Sequence, residues 1–306
     1  MTTNTQRPTV LVIGSTGQLG WELTRRLSTV ANVISTQRDA SAADQYVLDL
    51  ADERAISACV KSIRPAAVIN AAAYTQVDKA QTEPRLAELI NAAAPAALAR
   101  VCAGCDSLLV HYSTDYVFDG NATAPYQEDH ATLPGNVYGQ TKLAGEIGVR
   151  ENHAYHFIFR TSWIYAARGK NFVRTIFEKA HTSTSLRVVD DQYGCPTSAA
   201  ALAEGTKQLF ARISSEGRDW AQARAGTYHL AAAGACTWHE LASQVVVDIE
   251  PKVVVSPIAS SEYPTPAPRP AYSVLDCAKA ESRLGLRMPH WREQLQPVLE
   301  ALRARQ

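Results

Sequence analysis

The sequence lacks any excess of one charge. Lys and Arg number 30 and Asp and Glu 30 in 306 residues, and no basic run stands out. Such a chain is not built to hold nucleic acid by bulk electrostatics. No apolar stretch reads as long enough to span a bilayer, and Met1 to Pro8 is polar, without the apolar core of a signal peptide. The expectation is a cytoplasmic protein with neither nucleic acid nor membrane as partner. Cysteine is sparse and scattered, at positions Cys59, Cys102, Cys105, Cys195, Cys236 and Cys277. Cys102-Ala-Gly-Cys105 has the C-x-x-C spacing of redox or zinc sites, but no second C-x-x-C or His pair completes it. Buried small thiols are the simpler reading. His153 and His156 fall in an apolar, strand-like stretch with no ligand set around them, so no metal site is expected.

What is present is alternation. Thr9–Ile13 reads as a buried strand, Gln18–Leu27 as a helix, Asn32–Thr36 as a strand, Glu53–Ile63 as a helix and Ala67–Asn70 as a strand. Glu83–Cys102 reads as a long Ala/Leu-rich helix and Leu108–Tyr112 as a fourth strand. A helix follows from Tyr138 to about Val149, then a strand over Tyr155–Arg160 and helices over Asn171–His181 and Thr197–Ala211, with a loop at Asp190–Pro196. Strands alternating with helices predict right-handed βαβ crossovers and a parallel sheet covered on both faces. The fold class is therefore α/β, a Rossmann-type doubly wound parallel sheet with a smaller, mainly C-terminal substrate-binding lobe. Ser260 to Pro270 is rich in proline and suits a binding loop.

Gly14-Ser-Thr-Gly17-Gln-Leu-Gly20 joins the first strand to the first helix. Glycines let a pyrophosphate approach the backbone, and the helix N-terminus offers free amides and partial positive charge. The spacing, G-x-x-G-x-x-G, marks a dinucleotide site. The second strand ends at Thr36-Gln37-Arg38, where an acidic residue would bind a ribose 2′-hydroxyl and an Arg a 2′-phosphate. Arg38 leans the reading towards NADPH, with NADH possible. Asp49 and Leu50 end another short apolar run; they contact the adenosine, or Asp49 caps the following helix.

Tyr138-Gly-Gln-Thr-Lys142 puts a phenol and an ammonium one helical turn apart, on one face. The ammonium favours the phenolate, which makes Tyr138 a proton donor or acceptor near neutral pH. Ser113-Thr114-Asp115 ends the fourth strand and supplies a hydroxyl for the reacting oxygen. The set suits carbonyl reduction or alcohol oxidation beside a nicotinamide.

These stretches together resemble the extended short-chain dehydrogenase/reductase superfamily and, within it, the dTDP-4-dehydrorhamnose reductase family. The matching segments are Gly14–Gly20, Asn70–Ala80, Ser113–Gly120, Asn136–Glu146, Arg160–Trp163, Asp191–Thr197 and Pro268–Pro270, which run nearly end to end. The resemblance implies an NADPH-dependent reduction of the C4 ketone of a dTDP-linked 4-keto sugar to dTDP-L-rhamnose. It makes Tyr138 the proton donor, Thr114 a hydrogen-bond partner of the same C4 oxygen, and Lys142 the residue that holds the nicotinamide ribose. It also implies cofactor contacts from Gly17, Gln18 and Leu19 and from Ala73, Tyr74 and Thr75. Asp115, Tyr116 and Trp163 would face the sugar, and Arg269 its diphosphate.

The resemblance divides the chain into a cofactor domain, residues 1–170 with about 197–213 and 226–232, and a substrate lobe, about 171–196 and 233–306. Related 4,6-dehydratases carry an acid pair after Ser-Thr; here Asp115 is followed by Tyr116, so dehydration lacks its base. An epimerase or reductase of another nucleotide sugar, or a non-catalytic NADP-binding regulatory subunit, are the alternatives. Some family members dimerise through magnesium held by glutamates. Glu22 matches one ligand, but Ala199 and Ala200 stand where a second carboxylate is wanted. Magnesium is therefore doubtful, and monomer or homodimer stays open.

Overall fold

The computed structural model describes residues 7–38, 46–247 and 253–305; the N-terminal residues 1–6 lie outside them. β1 (Thr9–Ile13) leads through the glycine turn into α1 (Gln18–Leu27), whose Leu19, Leu23 and Leu27 fall on one buried stripe. β2 (Asn32–Gln37), β3 (Tyr46–Val47), α2 (Glu53–Ile63) and β4 (Ala67–Asn70) follow. The Asp52 carboxylate accepts from the amides of Arg54 and Ala55 and so starts α2, a cap worth about 1 kcal/mol.

The long helix expected over Glu83–Cys102 is composite. After α3 (Val77–Ala80), α4 (Pro84–Glu88) widens into a π-helical turn at Leu89–Ala93 before α5 (Ala94–Cys105). Pro95 has no amide to offer the Asn91 carbonyl, so a regular ladder cannot run through that point. The run Pro84–Cys105 is, by length and composition, apolar enough to cross a membrane, contrary to the expectation that no stretch would be. Its α5 segment packs here against α2 and the strand that follows.

β5 (Leu108–Thr114) is buried along its whole length. α6 (Val137–Asn152), β6 (His156–Thr161), β7 (Ile164–Tyr165), α7 (Phe172–Ala180) and β8 (Ser185–Val189) come next. The Asp190–Pro196 segment, expected as loop, contains the short strand β9 (Tyr193–Gly194). The expected Thr197–Ala211 helix begins instead with β10 (Thr197–Ser198), and the Ser198 hydroxyl caps α8 (Ala199–Glu216). The remainder is α9 (Arg218–Gln222), β11 (Gly226–His229), β12 (Cys236–Thr237), α10 (Trp238–Val246), β13 (Val254–Ile258), α11 (Ala278–Leu284) and α12 (Trp291–Arg303).

Seven strands form one parallel sheet in the order β11-β6-β5-β4-β1-β2-β3. Alternate side chains of each strand leave on opposite faces. Val10 and Val12 of β1 join a core with α1 and α8, whereas Leu11 and Ile13 join one with α2 and α5. The strand order reverses between β1 and β4, the position at which open α/β sheets bind ligands outside the carboxyl ends of their strands. A separate core around Trp291 unites α7, α10 and α12 with β8. That unit lies over one side of the same strand ends.

Candidate active site

A cleft of about 1360 Å³ opens at the reversal point. On one side it is bordered by the glycine turn, by Thr36, Gln37 and Arg38 at the end of β2, and by Asp49 and Leu50. Asp49 accepts the Ala51 amide at 2.9 Å, while Asp52 caps α2, so Asp49 is left on the cleft wall rather than at a helix end.

The turn is built for close approach. Gly14 has φ +85, and a Cβ on it would lie 2.8 Å from the Ala72 Cβ. A Cβ on Gly20 would meet the Gly14 carbonyl at 2.1 Å, so Gly20 packs the turn and does not border the cleft. Gly17 caps α1 with no side-chain hydrogen bond, and no carboxylate sits in the first helical turn. The positive helix end therefore faces the cleft without a competing anion from its own chain. These residues fit a dinucleotide pyrophosphate. Gln18 borders the cleft, and its side-chain carbonyl accepts from Asn171 at 2.8 Å, which ties the turn to the start of α7.

The opposite wall is the segment after β4. Ala73, Tyr74 and Thr75 border the cleft as expected. Asn91, buried on the π-helical turn, brackets Tyr74: its side-chain oxygen accepts the Tyr74 amide at 2.8 Å and its nitrogen donates to the Tyr74 carbonyl at 3.1 Å. The same nitrogen reaches Thr141 of α6 at 3.2 Å. The Tyr74 hydroxyl donates to Glu83 at 2.6 Å, which pushes its pKa up to about 12.

At the floor, β5 and α6 bring Thr114, Tyr138 and Lys142 to the same cleft. The Asn136 side chain starts α6 by accepting the Gly139 amide at 2.8 Å. A Cβ on Gly139 would come within 2.2 Å of the Tyr116 carbonyl, so this glycine lets α6 sit directly on the turn that follows β5. Burial pushes the Tyr138 phenol up to about 12, against the opposing pull of its hydrogen bond with Thr114. The expected direction is thus reversed. Lys142 does not hold the phenolate; its ammonium donates to the Tyr112 carbonyl at 2.6 Å, and burial lowers its own pKa to about 8. A phenol in this state keeps its proton until a stronger base arrives.

Asp115 borders the cleft while being almost wholly buried. It accepts from the Thr114 hydroxyl at 2.9 Å and from Ser162 at 2.9 Å, and burial raises its pKa. Tyr116 borders the cleft and meets Tyr138 edge to face, with centroids 5.7 Å apart.

Trp163 also borders the cleft, in a left-handed backbone conformation of φ 47, and stacks on Trp238 at 3.4 Å between centroids. Trp238 and Phe172, which packs on it at 4.6 Å, escaped the sequence reading although both line the cleft. The signal available was the capping box of Thr237 and Glu240, which fixes where α10 begins and hence where Trp238 stands.

Arg269 does not border the cleft. It pairs with Asp78 at 2.8 Å and donates to the Ala267 carbonyl at 2.9 Å, which fastens the proline-rich loop to α3. Glu22 is engaged by Arg25 at 2.9 Å and by Arg26 at 3.3 Å. Cys102 is buried with its thiol pKa raised, in keeping with a packing role, and Cys105 is half-buried at the end of α5.

Residues 8–304 match the family model described as RmlD substrate binding domain. The dTDP-4-dehydrorhamnose reductase of Salmonella typhimurium is 40% identical, with 92% of this chain and 94% of that protein aligned. The chain belongs to the dTDP-4-dehydrorhamnose reductase family. The Escherichia coli K12 reductase is likewise 40% identical, over 96% of this chain and 97% of its own. The crystal structure of the Bacillus anthracis reductase in complex with NADP superposes with a TM-score of 0.88 at 33% identity, covering 96% of this chain and 99% of that one.

Proposed function

We propose that this protein reduces the C4 ketone of dTDP-4-dehydro-6-deoxy-L-mannose to give dTDP-L-rhamnose, with NADPH as the preferred reductant and NADH as a possible substitute. The observation that carries the reading is the convergence of Thr114, Tyr138 and Lys142 on the cleft that also holds the glycine turn and Trp163. Bound NADPH supplies the hydride. Gly14, Gly17, Gln18 and Leu19 hold its pyrophosphate; Arg38, Asp49 and Leu50 hold the adenosine end, and Lys142 the nicotinamide ribose. The Tyr138 hydroxyl passes its proton to the C4 oxygen as charge develops there. The Thr114 hydroxyl, which donates to Asp115, turns to the same oxygen. Water is kept from the reacting carbon by Tyr116 and the Trp163/Trp238 stack.

The substrate is a small nucleotide sugar. Arg269 would release Asp78 to meet its diphosphate, since a guanidinium matches that group. The division into a cofactor domain and a substrate lobe is part of the same proposal, as are a cytoplasmic location and a monomeric or homodimeric state. The decisive experiment mixes purified protein, NADPH and the keto sugar and follows the absorbance of reduced cofactor. Folded protein that oxidises no NADPH overturns the proposal.

A further inference from the structure

The proline-rich loop and the helix that carries Tyr138 are joined through one side chain. Asn136 is 4% exposed and stands at the N-cap of α6. Its oxygen accepts the Gly139 amide at 2.8 Å, while its nitrogen donates to the carbonyl of Pro268, 132 residues further along, at 2.9 Å. The first bond is an ordinary cap, which Ser or Asp would supply as well. The second is not. A carboxylate has no proton for a carbonyl, and a Ser hydroxyl would have to serve both partners with one atom on a shorter side chain. Further bonds close a ring around the same point. The Gln81 side-chain oxygen, just past α3, accepts the Val137 amide at 2.8 Å. Asp78 of α3 accepts the Ala267 amide at 3.2 Å and the Arg269 guanidinium at 2.8 Å. Beyond Arg269, Pro270 lies against Gly120, where a Cβ would come 2.5 Å from the Pro270 Cβ. Arg269 is therefore flanked by two fixed points, Pro268 on Asn136 and Pro270 on Gly120.

We infer that Asn136 is a positioning residue: through the Pro268 carbonyl it holds the Arg269 guanidinium in register with Tyr138, at the reach of the substrate diphosphate. The inference rests on the reductase reading and on Arg269 as the diphosphate ligand; the Asn136 bonds stand independently of both. The contacts of the loop differ in kind. Asp78 competes with a diphosphate for the same guanidinium, so bound substrate displaces that ion pair. Asn136 binds only main chain, for which the substrate does not compete, so its hold on the loop persists when Asp78 lets go. Burial raises the pKa of the Tyr116 phenol and the Arg269 charge opposes that rise, which sets the guanidinium within electrostatic reach of a side chain on the cleft wall. The same amide that starts the helix of Tyr138 thus fixes how far the diphosphate end of the substrate lies from the phenol.

The test measures binding of dTDP by titration calorimetry to the full-length protein saturated with NADP+, so that the diphosphate is read without turnover. Asn136→Ser keeps a cap and loses the reach to Pro268. Asn136→Asp also keeps the cap and replaces the donor with a carboxylate. Both should weaken dTDP about tenfold, the scale of one lost hydrogen bond to a charged group's support, while the dissociation constant for NADP+ stays at the wild-type value. With the keto sugar, the loss should fall on KM and not on kcat. Agreement between the neutral and the charged replacement assigns the effect to the missing donor. Because Asn136 acts through Arg269, Asn136→Ser should cost nothing further in an Arg269→Ala background. The inference is overturned if Asn136→Ser binds dTDP as the wild type does, if its loss multiplies with that of Arg269→Ala, if NADP+ affinity falls in step, or if the wild type binds no dTDP. A wild type that shows this binding pattern but never oxidises NADPH with the keto sugar would instead remove the reductase reading and leave the positioning role in place.

Discussion

A Cβ on Gly194 would lie 2.4 Å from the Trp163 indole. The ring of Trp163 therefore occupies the space that any larger side chain at 194 would claim. Gly194 belongs to β9, whose pairing with β12 sets it opposite Cys236, two residues before Trp238, so the strand pairing and the indole stack are set together. Gly194→Ala should push Trp163 off Trp238 and into the part of the cleft proposed to hold the sugar. Overpacking of this kind costs about 1–3 kcal/mol. KM for the nucleotide sugar should rise about tenfold or more, since 1.4 kcal/mol is a factor of ten, while NADPH affinity stays at the wild-type value. Steady-state kinetics with either substrate varied separates the two.

Tyr138→Phe removes the proposed proton donor and leaves the ring that packs against Tyr116. General acids of this type contribute about 100-fold to 10,000-fold. kcat should fall within that range while the NADPH dissociation constant changes little, as read from cofactor fluorescence. A variant with wild-type turnover would take Tyr138 out of the reaction.

Much of this site is legible in the sequence because its parts are local. The glycine turn, the Tyr138/Lys142 step and Thr114 at a strand end each follow from a period or a turn requirement within a few residues. The sheet is legible for the same reason: parallel strands buried on both faces read as short apolar runs. What escaped depends on partners distant in sequence. Trp238 reaches the cleft only because β12 pairs with β9, more than forty residues earlier in the chain. Asn91 matters because Pro95 opens a π-turn that aims it at Tyr74, and a composition-based helix reading has no place for that turn. The direction of the Tyr138 shift was also out of reach. A sequence shows that an ammonium is one turn away; it does not show that the ammonium is spent on the Tyr112 carbonyl.

Four histidines are buried without charge. Burial lowers the pKa of His111, His153, His156 and His229, the last to about 3 from 6.5. Below pH 6.5 the unfolded chain takes up protons at these sites while the folded chain does not. The unfolded state then binds more protons, and stability rises with pH. The contribution is fully present above 6.5 and is lost as pH falls through that value towards the folded-state pKa values. Denaturant midpoints should therefore drop between about pH 7.5 and about pH 5. His229→Gln should flatten that slope, although it costs stability at neutral pH through the lost contact between the ring and the Asp276 carbonyl. A wild-type midpoint independent of pH over this interval would mean that these rings are open to water.

Arg38 stands at the carboxyl end of β2 on the rim of the cleft, beside Asp49 and Leu50. At that place in a dinucleotide fold the chain meets the adenosine ribose. A guanidinium there attracts a 2′-phosphate through charge-assisted hydrogen bonds and gains nothing from a 2′-hydroxyl that a neutral donor would not also give. Arg38→Ala should lower kcat/KM for NADPH about tenfold, the loss of one such bond, and leave the value for NADH unchanged. Raising ionic strength should erode the proposed preference for NADPH and have little effect on the variant, because the rim is exposed and its field is screened within about 10 Å at 0.1 M salt. Equal losses with both cofactors would assign Arg38 to the fold of the β2 end and not to the recognition of phosphate.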